Sequence, residues 1–588
     1  MNKIKLNSIS EQNVDKSKSN IIYSEKLKIS LTRNQYIIPS AEIYGGFSGF
    51  HDYGVMGIKT KNKLIEKWRQ FFLFEEEIDE IETSIIMPYV ALQASGHVDR
   101  FQDFIVYDNE KKCHRADHLL ENFFEKNNMP SQRNQVSSWN ADKMTSEINK
   151  YNILKDASKV LTKNMMYEIV QANNSDDKTY TNFLRPELAQ GIFTSFKRIS
   201  DFTKKKLPFG IAQVGKSYRK EISPTPFTRM REFTQAEIEF FIDPKNPNYK
   251  KIENYLDLKL PLLSSESQES ASDDIVMMSV EEAVKTKIIN HETMAYFLVR
   301  IYLFAKEIDL KDGKIRFRQH MPNEMAHYAN QCWDLECLVS NKWLECVGIA
   351  DRGSYDLEAH SIKSGTKLIC KRQLENPYAQ NVAKVKLNMK LIGKKYKSNT
   401  SKIVEYFNNL NQNEIIALEN NNTDIHIDDT DFIIDRNMIY IYKEQDIIQH
   451  EEFYPHTIEP SIGIDRILYA VFEQNFFVRE DDDKRIVLAL PKCISPYDVA
   501  VFSLYKNQDM DNVVNTIKNN LRNHKISGYI DCSNVSIGRK YSRLDEIGIK
   551  YAITVDPGSL EDKQVTVRER NSMSQIRVPI QDVHTLFL

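Results

Sequence analysis

The stretch Ser217–Phe241, SYRKEISPTPFTRMREFTQAEIEFF, decides the fold of this chain. A period of two splits it into two strands. Ser217, Arg219 and Glu221 fall on one face of the first. Arg229, Arg231, Phe233, Gln235, Glu237 and Glu239 fall on one face of the second. The other face of the second strand carries Met230, Ala236, Ile238 and Phe240, interrupted by Glu232 and Thr234, and is apolar enough to cover helices. Ser223-Pro224-Thr225-Pro226 cannot continue a ladder and reads as the connecting loop. The expected product is an antiparallel hairpin with one face of arginines, carboxylates and a phenylalanine. Such a face suits a flat, polyanionic ligand such as a nucleotide.

Working outward, 588 residues exceed one core and imply about two to four domains. A hydrophobic fraction of 41% and a charged fraction of 27% are those of a globular, water-facing protein. The net charge of -3 leaves any nucleic-acid contact to local patches. No apolar run is long enough to span a bilayer, and the polar start, through about residue 40, reads as a tail with no signal or transit peptide. These features together point to the cytoplasm. The seven cysteines form no CxxC pair. Cys332, Cys337 and Cys346 have the wrong spacing for zinc and read as buried thiols.

Helical spacing from Lys61 to about Thr83 is followed by a short strand, Ser84–Pro88. Leu184–Phe196 reads as a helix opened by Pro186, with Glu187 in its first turn. Val276–Ile308 looks helical, and Trp343–Ala350 looks like a strand. The extended stretch Glu459–Gly463 runs into a helix. Two polar stretches, about 110–177 and 361–449 (the second with an Asn420–Asn422 run), read as insertions in a core spanning 41–480. Beyond Arg479–Asp483 the pattern turns to alternating strand and helix, a compact α/β domain over 484–588 with strands at 486–490, 528–532, 550–555, 565–568 and 575–578. Helices are expected there at 511–523, 538–547 and 580–587. From Lys484 onward this domain holds 15 basic and 11 acidic side chains, so it is the relatively basic part of the chain, which mildly supports RNA contact. Gly210–Ser217 fits the GxxxxGK[ST] pattern of a phosphate loop, but Ile, Ala, Gln and Val between the glycines favour a strand, and no helix follows.

Three pieces in order resemble the three motifs of class II aminoacyl-tRNA synthetases. They are the helix and proline-ended strand at Trp68–Pro88, the hairpin Arg219–Phe233, and Gly463-Ile-Asp-Arg466 opening a helix. YGGFSGFHDYG, ASGHVDRFQDF, RADHLL, LRPELAQGIF, RMREFTQAEIEFF, ECVGIADRGSYDL, IEPSIGIDR and VRERNSMSQIRVP are similar to eukaryotic-type glycyl-tRNA synthetases, over about Ile43–Val583 outside the insertions. The resemblance implies an α+β fold: a class II antiparallel sheet with flanking helices and insertions, plus a C-terminal α/β anticodon-binding domain.

It also implies roles. Arg219 would grip the ATP α-phosphate, Glu221 would read the adenine amino group, Arg229 would reach the terminal phosphates and Phe233 would stack on adenine, with Lys220 and Met230 alongside. Arg466 would clamp ATP from the other side. Glu345 and the Cys346 backbone would serve the ribose and a Mg²⁺ ion, with no zinc. Glu187, Glu237 and Glu459 would surround the ammonium of glycine, with Ser461 as a small polar partner and Pro460 in the same pocket, and Arg352 would hold its carboxylate. For Glu187 alone, a carboxylate favoured by a helix N-terminus is an equally good reading. The implied partners are ATP, glycine, tRNA(Gly) and a second copy of the chain. Leu188 replaces a usual Thr, Gly353 a usual Ser, and the hairpin loop is one residue short. A non-catalytic nucleic-acid-binding relative and an enzyme for another small amino acid stay open as rivals. The intact motif arginines argue against the first, and the three acidic positions against the second.

Overall fold

A computed structural model describes residues 24–133, 135–136, 139–169, 181–270, 274–418, 423–427, 430–435, 437–480 and 482–587. The tail through residue 23 and the Asn420–Asn422 run lie outside the described residues. Its centre is a nine-stranded sheet built from β1 (Asp79–Glu80), β2 (Phe209–Tyr218), β3 (Glu232–Ile242), β4 (Lys259–Leu263), β5 (Val276–Ser279), β6 (Ile315–Gln319), β7 (Gln331–Val339), β8 (Lys342–Gly353) and β9 (His456–Gly463). The spatial order is β5-β4-β6-β7-β8-β9-β3-β2-β1. The run β6-β7-β8-β9-β3-β2 is antiparallel throughout.

The two faces of this sheet differ in kind. Ala236, Ile238 and Phe240 of β3, Ile458 and Ile462 of β9, and Trp333 and Leu335 of β7 share one buried cluster with three helices. These are α1 (Val55–Trp68), α3 (Glu292–Glu307) and α5 (Ile464–Gln474). The period-two alternation therefore sends Phe233, Gln235, Glu237, Glu239, Glu459 and Ser461 to the other face. There α2 (Ala189–Thr203) and α4 (Tyr355–Ser364) flank the floor of a cavity.

Several expectations are corrected. The hairpin strands are 209–218 and 232–242, so Arg219, Glu221, Arg229 and Arg231 sit in the connection and not on the strands. Two backbone links, Arg219 N to Arg231 O (3.0 Å) and the Thr225–Arg229 bridge, hold that connection in a narrow loop. Met230 turns toward the cavity and away from the apolar core. Gly210–Ser217 lies within β2, as its composition requires. The helix starting at Val55 ends in one wide turn at Phe74, short of Thr83. Pro88 closes a strand that pairs with Asn182–Leu184 outside the central sheet. α2 begins at Ala189, so Glu187 precedes it. Val276–Ser279 is a strand where a helix was expected.

Residues 369–454 form a separate compact unit. A long ribbon, Cys370–Leu387 paired with Ile439–Phe453, carries a small cluster of its own around Ile392, Ile403, Phe407 and Phe432.

In the C-terminal region a five-stranded sheet runs in the order 528–530, 499–503, 551–555, 564–569, 575–579. Its most buried strand, Val499–Ser503, escaped the sequence pattern, and the expected strand at 486–490 instead pairs with Phe476–Arg479 in a small separate sheet. The expected terminal helix is a single short turn, Val583–Leu586. This domain is fastened to the core by Asp545, which meets Arg479 at 3.0 Å and Arg485 at 3.2 Å, and by the Tyr36 hydroxyl bonded to Ile547 O at 2.8 Å.

Candidate active site

The polar face of the sheet opens into a cavity of about 230 Å³. Arg219, Glu221, Arg229, Met230, Phe233, Glu345, Cys346 and Arg466 line one end, and Glu187, Glu237, Glu459 and Ser461 the other. Twelve of the fifteen residues expected in the site are thus brought together. Lys220 lies elsewhere: its amino group sits 5.7 Å from the Tyr167 ring, and it lines a different hollow with Phe47 and Phe50. Pro460 alternates to the core face, paired with Ile349. Arg352 is buried behind the acidic floor, where Asp356 and Glu459 already occupy its guanidinium.

At the arginine end, Arg219 is pre-organised. Its guanidinium lies 5.3 Å from the Phe233 ring and 5.4 Å from Phe101, and its Nε donates to Pro186 O at 3.2 Å. Arg466, in the first turn of α5, donates to Thr228 O at 2.8 Å and to Glu345 O at 3.0 Å. Arg229 reaches the His118 ring at 3.0 Å. Burial and then the Arg115 charge push His118 down to about 4, so it is neutral near pH 7 and does not oppose Arg229. Three cations therefore face one hollow with an aromatic ring beside them. Fixed guanidiniums of this kind stabilise phosphate charge without reorganising.

At the acidic end, Glu237 accepts from Leu188 N and from the Ser461 hydroxyl, each at 2.8 Å. Glu187 accepts from Gln190 at 2.9 Å and lies 3.3 Å from His97 Nε2. Glu459 accepts from Arg352 at 2.9 Å. Burial opposes the ionisation of Glu187, but His97 and then Arg352 hold it below the usual carboxylate range. Burial first, and the neighbouring Glu187 next, push Glu237 up to about 7. Glu459 is raised too, by burial, with Arg352 opposing. Buried carboxylates crowded around one guanidinium create a deficit of positive charge that an ammonium would fill.

Sequence reasoning missed Arg115, His118, His97, Tyr328, Asp334 and His320. Arg115 lies 3.7 Å from Glu221, and Tyr328 faces the Arg352 guanidinium at 3.8 Å. His97 and Arg115 occur inside ASGHVDRF and RADHLL, so the signal was present without its geometry. Gly353 adopts φ 54, in the left-handed region that favours glycine. Gly215 is required by a close approach: a Cβ there would lie 2.2 Å from Arg185 Nη2. Arg185 in turn ties Lys216 O to Thr83 O, at 2.8 and 3.0 Å. Gly215→Ala is accordingly expected to cost about 1–3 kcal/mol and to lower the thermal melting midpoint; an unchanged midpoint would refute this bracing role.

Residues 167–475 match the tRNA synthetase class II core domain family (G, H, P, S and T), and residues 498–588 match the anticodon binding domain family. The chain is 41% identical to a glycine–tRNA ligase of Methanocaldococcus jannaschii, over 95% of this chain and 97% of that one. It is 38% identical to glycine–tRNA ligase 2 of Saccharomyces cerevisiae, over 95% of this chain and 94% of that one. A Giardia lamblia prolyl-tRNA synthetase solved with prolyl-adenylate shares the fold, with a TM-score of 0.52 at 13% identity, over 96% of this chain and 75% of that one. With arginines at one end of the cavity, carboxylates at the other and relatives this similar over nearly the whole length, the chain belongs to the class II glycine–tRNA ligases.

Proposed function

We propose that the two ends of the cavity hold ATP and glycine so that the glycine carboxylate attacks the α-phosphorus. The α-phosphorus–pyrophosphate bond breaks, pyrophosphate leaves and glycyl-adenylate remains. A terminal ribose hydroxyl of tRNA(Gly) then attacks the glycyl carbonyl, loses its proton and displaces AMP. The observation that carries this reading is the acidic floor, in which Glu187, Glu237 and Glu459 converge with the small Ser461 on a site fit for an ammonium. No general base is required for the first step, because the nucleophile is already a carboxylate.

Arg219 and Arg466 would bear the charge that gathers on the phosphate oxygens. Glu221, Phe233 and Arg229 would hold adenine and the outer phosphates. Arg352 acts indirectly, locking Glu459 and Asp356 in place. Mg²⁺ would neutralise phosphate charge when it enters with ATP. Asp334 and Glu345 supply hard oxygen donors for it, and Asp334 is raised by burial and then by Glu345, a conflict that a dication relieves. The C-terminal sheet would read the anticodon.

Two further assignments are structural and cellular. Ile85, Ile86 and Val90 are 40%, 49% and 49% exposed next to the proline-ended strand, an apolar edge fit for a second copy. Sedimentation at twice 68.6 kDa is the expected result, and a monomer would exclude the dimer. Seven cysteines that form no disulfide among the described residues suit a reducing compartment, and we assign the protein to the cytoplasm; no described helix is long and apolar enough to cross a membrane.

The direct test of function is transfer of labelled glycine to tRNA(Gly) with ATP. Acid-precipitable label is expected with that tRNA and absent with others. A pH dependence follows from Glu237. Its carboxyl is raised to about 7 in the free site, whereas the bound ammonium needs the ionised form. Binding therefore releases a proton, and the KM for glycine should fall as pH rises from about 6 to 8, a unit either side. The KM for ATP should stay flat over that range. A glycine KM that rises with pH would reverse the assignment.

A further inference from the structure

Below the acidic floor sits a carboxyl group that does not line the cavity. Glu239 is two residues beyond Glu237 on β3, on the same face, and is fully buried. Neither of its oxygens has a hydrogen-bond partner. One oxygen each of Glu237, Glu239 and Glu459 lies within 4.8 Å of the others. The antiparallel register, which pairs Glu237 with Ser461, places Glu239 beside Glu459 across the ladder.

An ionised carboxylate is a pure acceptor and gathers donors when buried. Glu237 has Leu188 N and Ser461, and Glu459 has Arg352. Glu239 has none, and the groups that face it are largely anionic: Glu237 on its own strand, Glu459 on β9 and Asp356 on α4, with Arg352 of β8 as the cation. That guanidinium is already engaged by Asp356 and Glu459. A second bare anion at this place would be uncompensated, whereas a carboxylic acid brings its own donor.

We propose that Glu239 is a permanently protonated positioning residue: an uncharged carboxylic acid that directs its hydrogen toward the Glu459 carboxylate and leaves the charge facing the ammonium to Glu187, Glu237 and Glu459. Burial first, and Glu459 next, raise its ionisation well above the usual range, in keeping with this role. The consequence is specificity by charge count. A further fixed negative charge here would favour a dication or a diamine over the single ammonium of the smallest amino acid.

This inference rests on the acidic pocket being the glycine site, and the test separates the two. Glu239→Gln keeps a neutral donor of the same shape. Glu239→Met keeps the bulk without a donor, and Glu237→Gln serves as the control on the pocket itself. Glycine and ATP KM values would be measured by pyrophosphate exchange on each full-length variant, with thermal melting to confirm folding. The expected result is a glycine KM for Glu239→Gln within about threefold of the parent, with an unaltered pH profile. For Glu239→Met the glycine KM should rise at least about tenfold, the loss of one buried hydrogen bond to a charged group, with the ATP KM unchanged. Infrared spectroscopy should show a protonated carboxyl stretch that persists above neutral pH and vanishes in Glu239→Gln.

A Glu239→Gln variant as impaired as Glu237→Gln would overturn the inference while leaving the pocket in place, because Glu239 would then be an ionised ligand. A Glu239→Met variant equal to the parent would overturn its positioning role. A Glu237→Gln variant with normal glycine KM would instead refute the pocket.

Discussion

Arg219→Ala should cut glycine-dependent ATP–pyrophosphate exchange by about 10²–10³-fold while the protein stays folded. The side chain lines the cavity and lies outside the main buried cluster of the described residues. Its guanidinium is fixed between the Phe101 and Phe233 rings and tethered by Nε to Pro186 O. That fixation is what makes it effective: charge gathering on the α-phosphate meets a cation already in place. Arg219→Lys should recover little, because a point charge on a flexible stem neither stacks between two rings nor presents a planar fork. The loss should fall on kcat more than on the ATP KM, as it must for a contact that strengthens in the transition state. Exchange within threefold of the parent would mean that Arg466 and Arg229 carry this charge without it.

Glu237→Gln should raise the glycine KM by about 10²-fold, near 3 kcal/mol, with the ATP KM within about twofold of the parent. Both oxygens of Glu237 already accept hydrogen bonds, from Leu188 N and Ser461. An amide at this position loses the charge and one acceptor oxygen, and it keeps both contacts only if the Ser461 hydroxyl turns to accept from its NH₂. Removing one partner from a buried charged contact costs about 2–5 kcal/mol, so the effect should dwarf that of any exposed ion pair. Lost ATP affinity with normal glycine binding would exchange the two ends of the cavity.

The sequence was most legible where period-two alternation crosses a half-polar sheet. Phe233, Gln235, Glu237 and Glu239 sort to one face and Ala236, Ile238 and Phe240 to the other, as the pattern demands. It was least legible where a strand stops. Arg219 and Glu221 alternate like strand residues, yet the ladder ends at Tyr218, and Pro224 and Pro226 in the narrow connection cannot extend it. Long-range partners also left no local trace. His97 supports Glu187, and Arg115 approaches Glu221, from segments about a hundred residues away. Arg352 shows the limit of carrying over a role by motif: an arginine near a carboxylate substrate is a natural ligand until its burial against Asp356 and Glu459 is seen. In the C-terminal region, Val499–Ser503 is so evenly apolar that alternation could not mark it as a strand.

The measurement that bears most directly on function is ATP–pyrophosphate exchange with each of the twenty amino acids in turn. Exchange driven by glycine alone is the expected result, with alanine and serine rejected, if Glu187, Glu237, Glu459 and Ser461 at one end of the cavity hold the amino acid as proposed. Exchange driven by another amino acid, or none with any of the twenty while ATP still binds, would contradict it.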